Sequence, residues 1–383
     1  MLPAAVPLRA RPGSCFATLS GMTTGRAQRL LEWFAANRRE LPWRGAFPRD
    51  AYRVLVSEVM LQQTQVDRVV GGFGPFIERF PTLEALAAAA TDDVVAAFSG
   101  MGYYGRARRL HAAARAIVAR GGWPRDAASL IALPGIGAYT SAAVAAFAFG
   151  GTVPPVDGNV CRVAARVTAT ALPSGGAALA READRLAREL HAEAPCPEVF
   201  EALMELGATV CTPQSPGCGA CPLRLGCRGR EAPERFPLPR PAQSPVTVAW
   251  VAVWLVRLDG RVLLRRIRDG GLLAGLWLPP LAVLAPAGDP RAVALSLARA
   301  FGVAGGVAAA AAVRHSITHH RIEVMPFTAA WPAGVREVNR EVVFRDPAAP
   351  GLPTSSLLRK LLAVCSGPRQ ADFGELLAGP SAS

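Results

Sequence analysis

The stretch Leu133–Asn159, LPGIGAYTSAAVAAFAFGGTVPPVDGN, decides how this 383-residue chain is read. Leu133 is expected to close one helix, Pro134 to Gly137 to turn the chain, and Ala138–Phe149 to form a second, alanine-rich helix. Gly135 and Gly137 carry no Cβ, so backbone N–H groups in that turn can approach a phosphate at the positive end of the following helix. Such a contact grips a nucleic-acid backbone without reading its sequence. An ordinary helical hairpin would also suit LPGIG alone. What favours the phosphate cradle is the VDGN just downstream, which places the carboxylate of Asp157 about one short helix away.

Some fifty residues on, Cys211, Cys218, Cys221 and Cys227 stand close together in CTPQSPGCGACPLRLGC. Four thiols packed this tightly indicate a metal site. Zinc accepts a Cys-x-x-Cys pair, but its sites usually add a second such pair or histidine, and no histidine lies between His191 and His315. An iron–sulfur cluster held by four cysteines matches better. The remaining cysteines, Cys15, Cys161, Cys196 and Cys365, are scattered, which argues against a disulfide framework and for a reducing compartment.

The length predicts two or three domains, and 51% hydrophobic residues supply cores for them. No apolar run reaches the roughly 20 residues that span a bilayer, so no membrane partner is expected. Met1–Ser20 lacks the apolar centre of a secretory signal, and Met22 is an alternative start. We expect a cytoplasmic protein, nucleoid-associated if bacterial. A formal net charge of +13 favours a polyanionic partner. The single lysine, Lys360, excludes any mechanism that needs a lysine amine in the first 350 residues.

From Thr23 to about Arg230 the periodicity is helical, punctuated by LPWRG, ERFPTL, SGMGYYG, GGWPRD and LPGIG. Residues 231–245 hold five prolines and read as an extended linker. Beyond it the pattern turns strand-like. Val246–Leu258 and Arg261–Ile267 flank an Asp259-Gly260 turn, and His320–Phe327 alternates again, so the C-terminal third is expected to be a separate α+β domain.

Glu58 is a lone acid among apolar residues in AYRVLVSEVMLQQTQVDRV. Buried, its carboxyl would hold a proton more tightly, as a general acid requires; the alternative is a surface acid at a helix bend. Asp157 could be no more than a helix N-cap. Together the two suggest the carboxylate pair of glycosidic-bond cleavage, one donating a proton and the other facing an oxocarbenium-like sugar. Asn159 could cap the next helix or orient one of them. Gln62, Gln63 and Thr64, with Tyr103 and Tyr104 in a glycine-rich turn, have the planar amides and phenols that fill the gap left by a flipped base.

In order and interval, SEVMLQQTQV, GMGYYGRARRL, LPGIGAYT, VDGNV and the four cysteines resemble the MutY-type adenine DNA glycosylases of the helix-hairpin-helix superfamily, over about Ala27–Arg230. GGLLAGLWLPP, RHSITHHRIEV and GLPTSSLLRK more weakly resemble that family's Nudix-related domain. The resemblance implies a multidomain fold. A disordered tail (1–22) would precede an all-α glycosylase region (23–230), divided into a six-helix-type barrel (about 50–160) and a cluster subdomain (23–49 with 161–230). A linker (231–245), an α+β Nudix-like domain (246–366) and a second tail (367–383) would follow. It implies a monomer acting on double-stranded DNA with adenine opposite 8-oxoguanine or guanine, and one structural 4Fe–4S cluster on Cys211, Cys218, Cys221 and Cys227. Glu58 would protonate the extruded adenine and Asp157 would stabilise or capture the sugar cation, supported by Tyr139 and Asn159. Arg39, Trp43, Leu61 and Glu201 align with the adenine pocket. Gln63, Thr64, Met101 and Tyr103, with the hairpin glycines Gly135 and Gly137, align with DNA contacts. Thr318 and His319 align with 8-oxoguanine recognition, although the family's Phe-Ser-His stands here as Ile317-Thr318-His319.

Two other enzyme readings need residues this chain lacks. An endonuclease III-type glycosylase/lyase needs an amine nucleophile, yet Tyr139 stands where its hairpin would present lysine. Nudix hydrolysis needs clustered carboxylates for Mg²⁺, yet Gly270–Gly302 contains only Asp289. A non-catalytic lesion binder would have little reason to set Glu58 and Asp157 against phosphate-rich DNA.

Overall fold

A computed structural model describes residues 25–98, 101–102, 104–240, 244–267, 272–332, 342–348 and 355–366. The two expected tails and Tyr103 lie outside the described residues. In chain order the helices are α1 (Arg26–Asn37), α2 (Ala51–Leu61), α3 (Val66–Arg79), α4 (Leu83–Ala88), α5 (Thr91–Ala97), α6 (Gly105–Ala119), α7 (Ala127–Leu130), α8 (Ala138–Phe149), α9 (Gly158–Thr168), α10 (Ala177–Glu193), α11 (Glu198–Thr209), α12 (Pro290–Arg299) and α13 (Ser356–Cys365). The strands are β1 (Val246–Val256), β2 (Val262–Arg266), β3 (Trp277–Leu278), β4 (Leu281–Val283), β5 (Ala308–Ala309), β6 (Val313–Ile317), β7 (His320–Ala330) and β8 (Val342–Arg345). The chain divides into two compact units, Met1–Ala89 with Arg106–Pro241, and Ala90–Gly105 with Ala242–Ser383. The segment Ala90–Gly105, which the sequence pattern keeps with the helical region, groups with the C-terminal residues.

In the first unit α8 is the central helix. Its sequence AYTSAAVAAFAF has no charged residue, and nine of its side chains are buried. A helix apolar all round belongs inside a bundle, and α8 packs on α2 and α7. It stops at Gly150, whose φ of 73° suits a residue without Cβ. Before it, the chain differs from the sequence expectation. The preceding helix ends at Leu130, and Leu133 sits in a turn with its N–H on the Leu130 carbonyl (3.1 Å). Leu133 therefore packs beneath the hairpin instead of closing a helix, and it is buried. Helix α9 packs on α10 and α11, and α1 packs on α10 and α11.

In the second unit β1 and β7 run parallel along their full lengths, from Val246↔His320 to Val256↔Ala330. The sheet order is β3-β2-β1-β7-β5, with β4 on β1, β6 on β7 and β8 on β2. Alternation along β1 supplies two cores, as the pleat requires. Trp250, Ala252 and Trp254 pack with Leu357, Leu358 and Leu361 of α13. Val251, Val253 and Leu255 pack with Ala294 and Ala298 of α12. Asp289 is the N-cap of α12, accepting from the N–H groups of Arg291 and Ala292. That use of the one acid in its segment is structural.

Candidate active site

Helix α2 starts at Asp50, whose side chain accepts from the Arg53 N–H (2.7 Å). Its buried run carries Glu58 into the interior, 6% exposed, so the surface-acid alternative does not hold. Helix α9 starts at Asp157, which accepts from the Val160 N–H (2.8 Å) through Oδ1 while Asn159 Nδ2 donates to Oδ2 (2.8 Å). The N-cap reading of Asp157 therefore holds, and the same hydrogen bonds fix the orientation of its carboxylate. Asn159 is fixed in turn by Arg162 Nη2 on its Oδ1 (2.7 Å).

Glu58 and Asp157 line one cavity of about 580 Å³. Arg39, Trp43, Leu61, Gln63, Thr64, Tyr139, Asn159 and Glu201, all singled out by the sequence, line it too. Burial raises the Glu58 carboxyl to about 7, opposed by a hydrogen bond from Tyr139 and reinforced by the negative charges of Asp157 and Glu201. Tyr139 keeps its proton, because burial and the facing carboxylates push its hydroxyl well above the usual range. Asp157 is also raised by burial, against the pull of Val160, Asn159 and Arg162.

Three residues of this site, Arg44, Arg49 and Glu205, were not singled out by the sequence. Arg49, buried between Phe47 and Phe147, donates through Nη1 to Glu201 Oε1 (2.6 Å) and through Nη2 to Oε2. Arg44 bridges Glu201 (2.9 Å) and Glu205 (2.7 Å), and Arg39 grips Glu205 from the other side (2.7 Å). Burial pushes Glu205 up, but those guanidinium contacts prevail and bring it down to about 2. Glu201 is likewise lowered, the Arg49 and Arg44 charges outweighing burial. The cavity therefore holds arginine-paired acids, Glu201 and Glu205, whose proton affinity is lowered, together with Glu58, whose carboxyl is raised to about 7. Outside the cavity lining, and also not singled out by the sequence, the Arg106 guanidinium caps the carbonyl end of α2.

The hairpin glycines stand apart from the cavity. Gly135 has φ +76°, and a Cβ there would meet the Arg109 Cβ at 2.4 Å. Gly137 is the N-cap of α8, exposed, with no acid in the first turn. Met101 is buried and groups with the other unit. Thr318 and His319 form the two-residue turn between β6 and β7, with Ile317 paired to His320. Thr318 is exposed there and has a positive φ of 53°.

The four cysteines share a second cavity with the apolar Val163, Val167, Leu206 and Val210. All are free thiols. Arg166 Nη1 donates to Cys211 Sγ (3.3 Å), a contact that suits a sulfur carrying negative charge. Among the described residues no group of His, Cys, Asp and Glu is arranged to hold a metal ion as it stands.

Residues 56–186 match the model of the HhH-GPD superfamily base excision DNA repair proteins. The chain is 47% identical to the adenine DNA glycosylase of Mycolicibacterium smegmatis, over 53% of this chain and 69% of that protein. It is 43% identical to the human adenine DNA glycosylase, over 54% of this chain and 39% of the human protein. To the mouse adenine DNA glycosylase it is 35% identical, over 72% of this chain and 64% of the mouse protein. The chain thus spans between about two fifths and two thirds of the length of these curated relatives. A solved thermostable thymine-DNA glycosylase aligns at 28% identity and a TM-score of 0.47, over 54% of this chain and 94% of that one. With ten sequence-selected residues around one cavity and 47% identity across more than two thirds of the mycobacterial protein, this chain belongs to the adenine DNA glycosylase family.

Proposed function

We propose that this protein is a monofunctional DNA N-glycosylase that hydrolyses the bond between adenine and deoxyribose where adenine is mispaired with 8-oxoguanine or guanine. The observation that carries this reading is that Glu58 and the oriented Asp157 line one cavity of about 580 Å³, where burial raises the Glu58 carboxyl to about 7. Pockets of roughly 300–1,000 Å³ enclose small ligands, and an extruded nucleoside is of that class. Glu58 gives its proton to the base as the bond lengthens. Asp157, held by Val160 and Asn159, places negative charge beside the oxocarbenium-like sugar. Water completes the hydrolysis. Among the described residues no lysine lines the cavity, whereas a Schiff base would need an amine there.

Two further parts of the reading rest on side-chain chemistry. Four free thiols, an apolar lining and the Arg166 donor fit one 4Fe–4S cluster held by Cys211, Cys218, Cys221 and Cys227. When bound, the cluster supplies cross-linking of the segment after α11 and no part of the hydrolysis. We assign recognition of 8-oxoguanine to the α+β unit, where Thr318 and His319 sit on a turn. DNA is gripped through the Gly135–Gly137 turn at the start of α8.

The test is single-turnover adenine release from duplexes that differ only in the base opposite adenine. Release is fastest opposite 8-oxoguanine, slower opposite guanine and slowest opposite thymine, with no strand cut before alkali and no borohydride-trapped adduct. Equal rates on all three duplexes, or abundant trapped adduct, would contradict the proposal.

A further inference from the structure

Helix α2 ends at Leu61, and the chain then makes a tight loop, Gln62-Gln63-Thr64, before α3 begins at Val66. Gln63 in this loop has φ +56°, a conformation that residues with a Cβ seldom adopt. Nothing in the loop's own sequence relieves it, since neither glycine nor asparagine is present. Non-glycine residues hold such a conformation only where the surroundings over-determine it.

The surroundings that do so are on α6. Arg106 is 3% exposed. Its Nη1 donates to the carbonyls of Val59 (2.9 Å), Met60 (2.8 Å) and Gln62, and its Nη2 donates to Thr64 Oγ1 (2.9 Å). One guanidinium thus caps the last turn of α2 and clamps the loop on both sides of Gln63. The loop is further held by Gln62 Nε2 on Thr140 Oγ1 of α8 (3.3 Å) and by the Thr64 N–H on the Leu61 carbonyl (3.3 Å). Gln63, between the clamped neighbours, is exposed. It also lines the cavity of Glu58 and Asp157.

We propose that Arg106 is a positioning residue for base extrusion: it presets the Gln62–Thr64 loop in the strained form that enters the duplex. The inference rests on the reading of this cavity as the site that receives an extruded adenine. Filling the vacated position in the stack requires a side chain that is already rigid, because ordering a loosely held loop on binding would cost conformational entropy. Arg106 supplies that rigidity with a planar, always-charged fork that serves four acceptors at once. Lysine has the charge but not the fork.

The experiment uses the full-length protein and a duplex in which 2-aminopurine, fluorescent when unstacked, replaces the target adenine. Arg106→Gln, Arg106→Lys and Gln63→Ala are compared with the parent. Excision is followed in parallel on a paired duplex and on one whose target adenine faces a tetrahydrofuran gap and is already loosely stacked. Loss of hydrogen bonds from a charged group predicts that Arg106→Gln lowers both the fluorescence rise and paired-duplex excision by roughly tenfold or more. On the gapped duplex it stays within about twofold of the parent, because extrusion there is largely prepaid. Arg106→Lys recovers part of the loss, and the pH at which excision falls does not move. Two results would overturn the assignment: a parental fluorescence rise in Arg106→Gln while Gln63→Ala loses it, or an equal fall on both duplexes. If Gln63→Ala itself keeps the parental rise, the loop is not a wedge, and the inference falls with that reading while the excision chemistry stands. Should Arg106→Gln fail to fold, Arg106→Lys decides by the same readouts.

Discussion

Burying Glu58 costs the fold stability, and the proposed function gives that cost a use. Its carboxyl is raised to about 7 by burial first and by Asp157 and Glu201 next, so near neutral pH the side chain is poised to donate. The sign of the consequence follows from linkage. A group whose folded pKa lies above its unfolded value costs nothing at low pH, and its penalty grows as pH rises from the unfolded value toward the folded one. Glu58→Gln therefore leaves stability nearly unchanged at pH 4 and raises it by about 3 kcal/mol at pH 8. Denaturant titrations of both proteins at the two pH values check this, and an equal difference at both would mean that Glu58 is ionised in the fold. For the same reason parental excision declines as pH rises through about 7. Glu201 escapes this fate although equally buried, because Arg49 and Arg44 keep it charged. A buried acid paired with arginine and a buried acid facing other acids are shifted in opposite directions, and in the proposed mechanism that contrast divides the labour in the cavity.

At the scale of elements, the catalytic geometry depends on how closely α11 approaches the start of α9. Gly207 on α11 makes that approach possible, since a Cβ there would lie 2.7 Å from the Asn159 Cβ and 2.9 Å from its carbonyl oxygen. The Gly207 carbonyl also receives Arg162 Nη2 (2.7 Å), the same nitrogen that holds Asn159. Gly207→Ala pushes the first turn of α9 outward and carries the Asp157 carboxylate with it. Displacements of about 1 Å in a catalytic group can cost on the order of a hundredfold in rate, whereas overpacking of this kind costs about 1–3 kcal/mol in stability. Single-turnover excision should therefore fall far more than mismatch affinity, with thermal melting lowered only in proportion to the packing loss. A variant that melts earlier but excises at the parental rate would show that Asp157 does not need this packing. The hairpin shows the same dependence on glycine, for Gly135 lies against the Arg109 stem with no space for a side chain.

Across the whole molecule, some features were written in the sequence and others arise only when distant segments meet. Helix α8 and strand β1 were legible to within a residue or two, because an apolar run bounded by turn signals is local. Glu58, Asp157, Tyr139 and Asn159 were legible because each sits in a short motif with its own spacing. Arg49 was not: a single arginine before a helix looks like any solvated charge among the 42 basic residues. Only the fold brings it within 2.6 Å of Glu201, 152 positions away. Gly207, Arg44 and Arg106 were hidden for the same reason, their meaning lying in what packs against them. The sequence pattern kept Ala90–Gly105 with the helical region, because helical periodicity does not reveal which unit a segment joins. The proposed catalysis requires α2 and α9 to meet at a single extruded nucleoside. Its most direct test is to measure affinity and single-turnover adenine release together for Glu58→Gln and Asp157→Asn on a duplex with adenine opposite 8-oxoguanine. Both variants should bind within a few-fold of the parent and release adenine at least about a thousandfold more slowly, a loss of roughly 4 kcal/mol of transition-state stabilisation. Parental release by either variant would contradict the role assigned to that acid, and parental release by both would remove the catalytic site altogether.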